Sequence, residues 1–255
     1  MGILVNFQEL GNYTVPEQTD TYVPVSHQQL VQTVKRIGSD HFNQEPIDGS
    51  FEVNRTGDQF FGSLSWQGDG ESNLSIGFRN SYNKSLSVGL CVGAEIVVCS
   101  NLMFAGDVVK MRKHTGNVID DLETLVTDLV QHADGSYHEI IQDTILMQNF
   151  ELSDTMVGDF LGQMFVNEQI LNGSQIKKAK DEWFHSHTFK ERTLWSAYNA
   201  CTEALKSAHT SHALNKHTDL HKFTEKYYLK DYREHINTAS LELEDTERSL
   251  MMSLT

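Results

Sequence analysis

The hydrophobic period of this 255-residue chain changes from strand alternation to helical spacing near residue 115, and this change constrains the fold more than any other feature. Before it, apolar residues such as Leu86, Val88 and Leu90 alternate with serine and glycine, as in strands with one buried face. After it, from Val118 on, apolar residues recur every three or four positions, as in amphipathic helices. Strands that precede helices, rather than alternating with them, predict an α+β fold.

Five strands are predicted between residues 51 and 99. Their ranges are 51–53, 60–66, 74–78, 85–90 and 95–99. Gly93 is expected to end the fourth strand, and Arg79-Asn80-Ser81 is expected to begin a turn. Because the connections are short, neighbouring strands should be antiparallel and form a five-stranded meander. One face of this sheet is apolar, and we expect the polar face to be exposed or covered by polar groups.

A helix is predicted before the sheet, and several helices are predicted after it. Ser26 is the expected N-cap of the first helix, Gln29 completes a capping box, and Gly38 should end the helix. Gly135 is expected to close the first helix after the sheet. Later helices are predicted to begin at Ser153, Ser174 and Thr193. We therefore expect helix plus sheet over 1–110, a helical region packed on it over 111–240 as one compact unit, and an acidic tail over 241–255.

Composition predicts a folded protein of a reducing compartment. Apolar residues make up 39% of the chain and charged residues 22%, as in ordinary globular proteins. The sequence has no apolar run of about 20 residues that could span a bilayer, and its N-terminus does not resemble a signal peptide. Cys91, Cys99 and Cys201 are too few and too widely spaced for a disulfide framework. These features predict a cytoplasmic protein without membrane contact, and the apolar neighbours of Cys91 and Cys99 predict that these two cysteines are small buried residues.

The net charge of −15 is distributed unevenly. Residues 174–235 carry 11 Lys and Arg against 8 Asp and Glu, whereas the rest of the chain is strongly acidic. An acidic protein with one mildly basic segment does not resemble a general nucleic-acid coat. The basic segment could hold a polyanion or could be an ordinary solvated helical face, and the acidic remainder could oppose a basic partner.

No catalytic signature is evident, and we predict no cofactor. Cys99 and Ser100 lack the context of an activated nucleophile, and the turn at Gly68 lacks that of a phosphate-binding loop. His217 and His221 stand four residues apart and could share a metal ion on one helical face. No glutamate follows His217 as in zinc proteases, so a polar helical region is the plainer interpretation.

A turn with cations and nearby aromatic residues suggests contact with single-stranded nucleic acid. The predicted contact residues are Arg79, Asn80, Tyr82 and Lys84. The nearby aromatic residues are Phe60, Phe61, Trp66 and Phe78. Stacking of bases on aromatic side chains and phosphate contacts with cations is one mode of single-strand binding. The alternative is that these aromatic residues form the core between sheet and helices.

Two segments resemble the family known as domain of unknown function 932, the phage/plasmid-like protein group. The first segment, Phe78–Phe104, contains Arg79-Asn80-Ser81-Tyr82, the strand through Val92-Gly93, and Val98-Cys99-Ser100-Asn101. The second, Thr193–Phe223, contains TLWSAYNA followed by Thr202-Glu203. Family members usually carry histidine after Asn-Ser, where this chain has Tyr82. The resemblance implies a mobile-element protein of the bacterial cytoplasm, and it supplies no active site.

Three functions of different classes follow. The first is a single-stranded nucleic-acid-binding or annealing factor for recombination, based on the order helix, meander, helices and on the Arg79–Lys84 turn. The second is an acidic protein-binding module that inhibits a host defence or replication factor. The third is a metal-dependent hydrolase that uses His217 and His221. We expect a homo-oligomer, with single-stranded DNA or a host protein as partner, and a non-enzymatic role.

Overall fold

The computed structural model describes residues 2–68, 72–96, 101–116, 118–185 and 188–233. A single antiparallel sheet holds six strands in chain order. The strands are β1 (Ile3–Leu4), β2 (Asp48–Val53), β3 (Gln59–Trp66), β4 (Ser72–Ser81), β5 (Val88–Ile96) and β6 (Asn101–Arg112). The predicted meander of antiparallel neighbours is therefore present, with each strand beside the next along the chain.

The strand count of five was wrong, because β1 adds a sixth strand at the edge through the pairs Ile3 with Val53 and Leu4 with Glu52. The expectation that Gly93 ends a strand was also wrong. β5 continues to Ile96, and the register with β6 shifts between Cys91 and Gly93. A Cβ on Gly93 would lie 2.3 Å from the Met103 carbonyl oxygen. Glycine at this position therefore permits close approach of β6 at a bulge.

The last predicted strand, 95–99, is replaced by the end of β5 and by β6, which begins at Asn101. Residues 97–100, including Cys99 and Ser100, lie outside the described residues. Arg79-Asn80-Ser81 is the end of β4 rather than a turn. Asn80 and Ser81 pair there with Phe60 and Gln59 of β3. The ladder thus continues past the polar residues that suggested a turn.

Seven α-helices are described. They are α1 (His27–Phe42), α2 (Val118–Gln131), α3 (Ala133–Asn149), α4 (Asp154–Val166), α5 (Gly173–His185), α6 (Leu194–Leu205) and α7 (Ala213–Thr224). A 3-10 helix, Glu9–Asn12, precedes α1, and a π-helical segment, Glu225–Leu229, follows α7. None of the described helices is long and apolar enough to cross a membrane.

The predicted N-caps of three helices are confirmed. The hydroxyl of Ser26 accepts a hydrogen bond from the Gln29 backbone amide, that of Ser153 from Met156, and that of Thr193 from Ser196. Such bonds satisfy amide groups that the first helical turn leaves without partners. The prediction for Ser174 was wrong, since the side chain of Asn172 accepts from the backbone amides of Ser174 and Gln175.

Two glycines expected to end helices lie inside them. Gly38 belongs to α1, which continues to Phe42 and is closed by Asn43 in a left-handed conformation with φ of 52°. A Cβ on Gly38 would lie 2.5 Å from the Trp66 ring, so glycine permits close packing of α1 on the sheet. Gly135 belongs to α3. Close packing accounts for Gly38, whereas a Cβ on Gly135 would meet no atom within 4 Å, and nothing in the structure explains that glycine.

The apolar face of the sheet forms the main core with α1, α2 and α3. Phe60, Trp66 and Phe78 are fully buried in this core. These three side chains are therefore part of the core between sheet and helices, which was the alternative to a base-stacking surface. Phe61 is partly buried on the opposite face, where its ring packs on Phe104.

The polar face of the sheet is covered rather than exposed over much of its area. Cys91 and Phe104 on this face pack on Leu214 of α7, and Gly77 lies close to both Phe104 and Leu214. Ser65 and Ser75 are joined through their hydroxyl groups at 3.3 Å. The helices that follow the sheet therefore pack on both of its faces, which places α7 directly over polar strand residues.

Cys91 is a fully buried free cysteine, as predicted, and Cys201, for which burial was not predicted, is buried as well. Burial raises the pKa of both thiols, which makes them poor nucleophiles. The division into residues 1–110 and 111–240 stays a prediction, and the tail at 241–255 lies outside the described residues.

Candidate functional site

The four predicted nucleic-acid contacts do not form one exposed patch. Arg79 and Asn80 are adjacent on β4 and point to opposite faces of the sheet, and both are buried. On the polar face, Nη1 of Arg79 donates to Oδ1 of Asn215 at 2.7 Å, which joins β4 to α7. Burial lowers the pKa of the Arg79 guanidinium. Its position favours an anchoring role over contact with a phosphate in solvent.

Asn80 and Tyr82 belong to a buried cluster around His27. Nδ2 of Asn80 donates to the Val25 carbonyl at 2.7 Å and lies 3.0 Å from Nδ1 of His27. The His27 ring stacks on Tyr82 with ring centroids 3.9 Å apart. The Tyr82 hydroxyl accepts from the His27 backbone amide. These contacts fix the start of α1 against the end of β4.

The protonation state of His27 follows from its partners. Because Asn80 Nδ2 is a donor, Nδ1 of His27 accepts, and Nε2 donates to the Gly57 carbonyl at 3.0 Å. Burial lowers the pKa of His27 to about 4, with an opposing effect from the Gly57 carbonyl. His27 is therefore a neutral, fully paired ring at physiological pH, and it carries no sign of an acid–base role.

Lys84 is the exposed member of the predicted set. Its backbone φ of 65° is left-handed, and its ammonium lies 4.7 Å from the centre of the Tyr22 ring. The Tyr22 ring lies 5.4 Å from that of His114, and its hydroxyl donates to the Tyr82 carbonyl at 3.1 Å. A cation–π contact holds the charge in place while leaving it accessible.

Two further cations, Arg55 and Lys113, lie at the same end of the sheet as Lys84. We call this end, formed by residues 54–58, 82–87 and 113–116, the basic end. In a meander of antiparallel strands, the end of β2, the β4–β5 turn and the end of β6 meet at one edge. Arg55, Lys84 and Lys113 are exposed there. Within the described part of the chain, none of the three forms an ion pair. Sequence reasoning missed Arg55 and Lys113 because they are distant from Lys84 along the chain.

Asp58 is the carboxylate within the basic end, and side chains of the same turn donate hydrogen bonds to it. Oδ1 accepts from Nδ2 of Asn54 at 2.6 Å and from the Thr56 hydroxyl at 2.8 Å. Burial acts to raise the pKa of Asp58, but hydrogen bonds from Asn54, Thr56 and Asn83 outweigh it and lower the pKa. Asp58 is therefore ionised, and three cations against one carboxylate leave a positive balance at the basic end.

His217 and His221 are both buried on α7 and make different contacts. The His217 ring packs edge-on against Phe104 with centroids 5.9 Å apart. Nε2 of His221 lies 3.3 Å from Oδ2 of Asp143, and Arg233 pairs with the other oxygen of that carboxylate. Among the described residues, no group of three or more His, Cys, Asp or Glu side chains could hold a metal ion. The hydrolase hypothesis stays a prediction without a described ligand set.

The two segments that carry the family resemblance meet in space. Nδ2 of Asn101 donates to Oδ1 of Asn199 at 3.0 Å, and the Asn199 amide in turn donates to the Trp195 carbonyl. All residues of α6 from Leu194 to Thr202 are buried. The sequence motifs that resemble the family therefore lie where α6 packs against the start of β6. They also include Arg79 and Asn80, whose buried side chains join β4 to α7 and to His27.

The comparison with known families agrees with these motifs. The model of the family described as Domain of unknown function (DUF932) matches residues 18–233, a range that includes both segments. No curated protein and no solved structure matches the chain. The match extends over most of the sheet and all seven helices, so the chain belongs to the family Domain of unknown function (DUF932).

Proposed function

We propose that this chain is an accessory protein of a phage or another mobile element, which binds single-stranded nucleic acid and assists annealing during recombination in a bacterial cytoplasm. The observation that carries the proposal is the basic end, where Arg55, Lys84 and Lys113 are exposed. Unneutralised cations on an otherwise acidic protein direct a polyanion to one place.

The spacing of these cations suits a single strand. The β2–β3 turn, the β4–β5 turn and the end of β6 lie along one edge of the sheet. With strands about 4.8 Å apart, Arg55 and Lys113 are on the order of 15 Å from each other across that edge. Lys84 lies between them. An extended backbone that runs across the strand ends would meet all three charges, without needing the buried aromatic residues as a stacking surface.

Several cations elsewhere are already neutralised. Lys35 pairs with Glu45 at 2.9 Å, and Lys178 pairs with Glu203 at 2.9 Å. Exposed pairs of this kind add little stability, but they reduce the charge available to a phosphate. A homo-oligomer would align several basic ends along one strand and raise the avidity of weak single contacts.

The test is fluorescence anisotropy of a labelled single-stranded oligonucleotide at low salt. The double variant Arg55→Ala/Lys84→Ala should weaken binding by about tenfold, since two solvent-exposed charge contacts of about 0.7 kcal/mol each sum to that factor. The matched control is Lys35→Ala/Lys178→Ala, which removes the same charge from cations that already have carboxylate partners. The control should bind within about twofold of the native protein.

Two results would oppose the proposal. The first is the absence of binding by the native protein at low salt. The second is an equal loss of affinity in the test and control variants, which would show a response to net charge instead of a site.

A second candidate is the acidic protein-binding module, which the net charge of −15 favours. An acidic surface promotes association with a basic partner and can mimic nucleic acid. A pull-down from host lysate at low salt would recover a basic host protein on this account. Recovery of no host protein, together with oligonucleotide binding at the basic end, would favour the nucleic-acid role.

A further inference from the structure

The outer edge of the sheet is open at the start of β2. β1 pairs with this edge at Val53 and Glu52, and one further bond joins the Val5 amide to the Phe51 carbonyl at 3.0 Å. Residues 48–50 are exposed, and no strand of the described ranges pairs with their outer side. Because the unpaired groups of an edge strand can bind another strand, this part of β2 is a possible docking edge.

The backbone of Gly49 points outward at this edge. The bond from Val5 shows that Phe51 directs its carbonyl away from β3, and backbone direction alternates along a strand, so Gly49 has the same orientation as Phe51. The Gly49 amide donates to the side chain of Asp48 at 2.7 Å. A neighbouring carboxylate thus satisfies an amide that an added strand would use. A carbonyl of such a strand would take its place and release the charge of Asp48.

An apolar cavity lies beside the open edge on the core face of β2. It has a volume of about 630 Å³ and lies between β2 and α1. Gly49 has no side chain on this face, and a Cβ there would lie 2.9 Å from Leu64, so the glycine leaves Leu64 in contact with the cavity. The apolar lining residues are Phe7, Val31, Pro46, Ile47, Phe51 and Leu64. This cavity suits an apolar side chain.

A second cavity, of about 460 Å³, lies beside the same edge on the polar face. The sheet contributes three carboxylates to its lining, those of Asp48, Glu52 and Glu95. Lys206 lines the helical side, but it pairs with Glu203 at 2.6 Å, so negative charge prevails. Asp48 is exposed and forms no ion pair with any described residue. This cavity suits a basic side chain.

A strand added to β2 would direct alternate side chains to the two cavities, because successive side chains of a strand point to opposite faces. Recognition of this kind combines backbone hydrogen bonds with pockets that select alternate side chains. A second copy of this chain fits the edge less well. Antiparallel pairing of two β2 strands about Gly49 would bring Asp48 near the Asp48 and Glu52 carboxylates of the other copy, and like charges across strands are destabilising.

We propose that the open edge of β2 binds an extended segment of a partner protein in which apolar and basic residues alternate. The apolar side chains would enter the cavity beside α1, and the basic side chains would meet Asp48 and Glu52. The proposal does not depend on nucleic-acid binding, because Asp48 begins β2 whereas the basic end follows its last residue, Val53. It would give the acidic protein-binding candidate a defined contact surface.

The test is fluorescence anisotropy of a labelled peptide in which valine and lysine alternate over about seven residues, a usual strand length. The comparison probe has the same composition, with valines and lysines in two separate blocks. The block peptide should bind at least about tenfold more weakly, because its side chains do not match the two faces. Binding of the alternating peptide should also slow hydrogen exchange at the Gly49 amide, which adsorption to an acidic surface would not do.

Two pairs of variants separate the apolar contact from the charge contact. Ile47→Ser alters the apolar cavity, and its control Ile145→Ser alters an isoleucine of α3 with a similar exposed fraction, 51% against 53%. Asp48→Lys reverses the charge at the edge, and its control Glu139→Lys alters an exposed glutamate of α3 that lines neither cavity. Each edge variant should weaken binding by about tenfold, and each control should bind within about twofold of the native protein. A thermal unfolding scan establishes that each variant is folded.

Three results would overturn the proposal. The first is a lack of binding by the alternating peptide, and the second is an equal loss of affinity in edge variants and controls. The third is protection of the Gly49 amide that rises with protein concentration in the absence of peptide, which would assign the edge to a second copy. Lys84→Ala should bind the peptide as the native protein does, which separates this result from the oligonucleotide test.

Discussion

Moderate acid should destabilise this protein through two buried histidines. His27 is 0% exposed and His217 is 4% exposed, and burial lowers the pKa of each from 6.5 to about 4. The folded state therefore favours the neutral ring, whereas in the unfolded chain each of these histidines takes up a proton once the pH falls below the ordinary histidine pKa of 6.5. The stabilisation is fully present above pH 6.5 and is lost progressively as the pH falls towards 4.

The magnitude follows from the two pKa values. A lowering of about 2.5 units corresponds to roughly 3 kcal/mol per histidine once the pH reaches about 4. Two such residues would remove about 6 kcal/mol, which is comparable with the whole stability of many domains. Burial lowers the pKa of His114 as well and adds to the effect. Glu95, whose pKa is raised, acts in the opposite direction at the acidic end of the range.

The assay is urea unfolding at several pH values between about 7.5 and 4.5, where the slope of unfolding free energy against pH reports protons taken up. His27→Gln should lower that slope near pH 5.3 by about 1.2 kcal/mol per pH unit, since it removes close to one proton. The control His41→Gln alters an exposed histidine in the last turn of α1 and should leave the slope unchanged. Flat stability between about pH 6.5 and 5 would refute the reasoning, as would equal slopes in His27→Gln and the native protein.

Three substitutions test the packing by their urea midpoints. Gly38→Ala would place a Cβ 2.5 Å from the Trp66 ring and should cost about 1–3 kcal/mol; an unchanged midpoint would contradict the close approach of α1. Gly158→Ala, in α4 with no atom within 4 Å of the added Cβ, should instead stabilise by about 0.5–1 kcal/mol, and a loss would contradict the open space. Asp143→Asn removes the charge that pairs with Arg233 in a buried setting and should cost about 2–4 kcal/mol, so a neutral result would show that this pair adds nothing.

The order of strands and helices was predictable from the sequence, because the spacing of apolar residues shows whether the buried face belongs to a strand or to a helix. The alternation before residue 115 and the helical spacing after it correspond to the sheet and to helices α2–α7. Side-chain caps were predictable at Ser26, Ser153 and Thr193 for a different reason: a cap is a hydrogen bond between residues three positions apart, so the local sequence is enough to indicate it. The edge strand β1 was not predictable, because a two-residue strand carries no period and depends on its pairing with β2.

The candidate site was harder to predict, because it depends on contacts between distant residues. The polar run at Arg79 and Asn80 suggested a turn, but β4 includes both residues and buries them through bonds to α7 and to His27. Glycine was misleading for a similar reason. Gly93 and Gly38 make room for neighbouring atoms, and a sequence pattern cannot distinguish that role from chain termination.

The most direct test of the proposed function is the salt dependence of single-stranded oligonucleotide binding by the native protein and by Lys84→Ala. Three phosphate contacts at the basic end predict a slope of log K against log salt of about −2, and loss of Lys84 should make it shallower by about 0.7. That result would locate a phosphate contact at the basic end. Binding whose slope is the same in both proteins, or the absence of binding at low salt, would contradict the account.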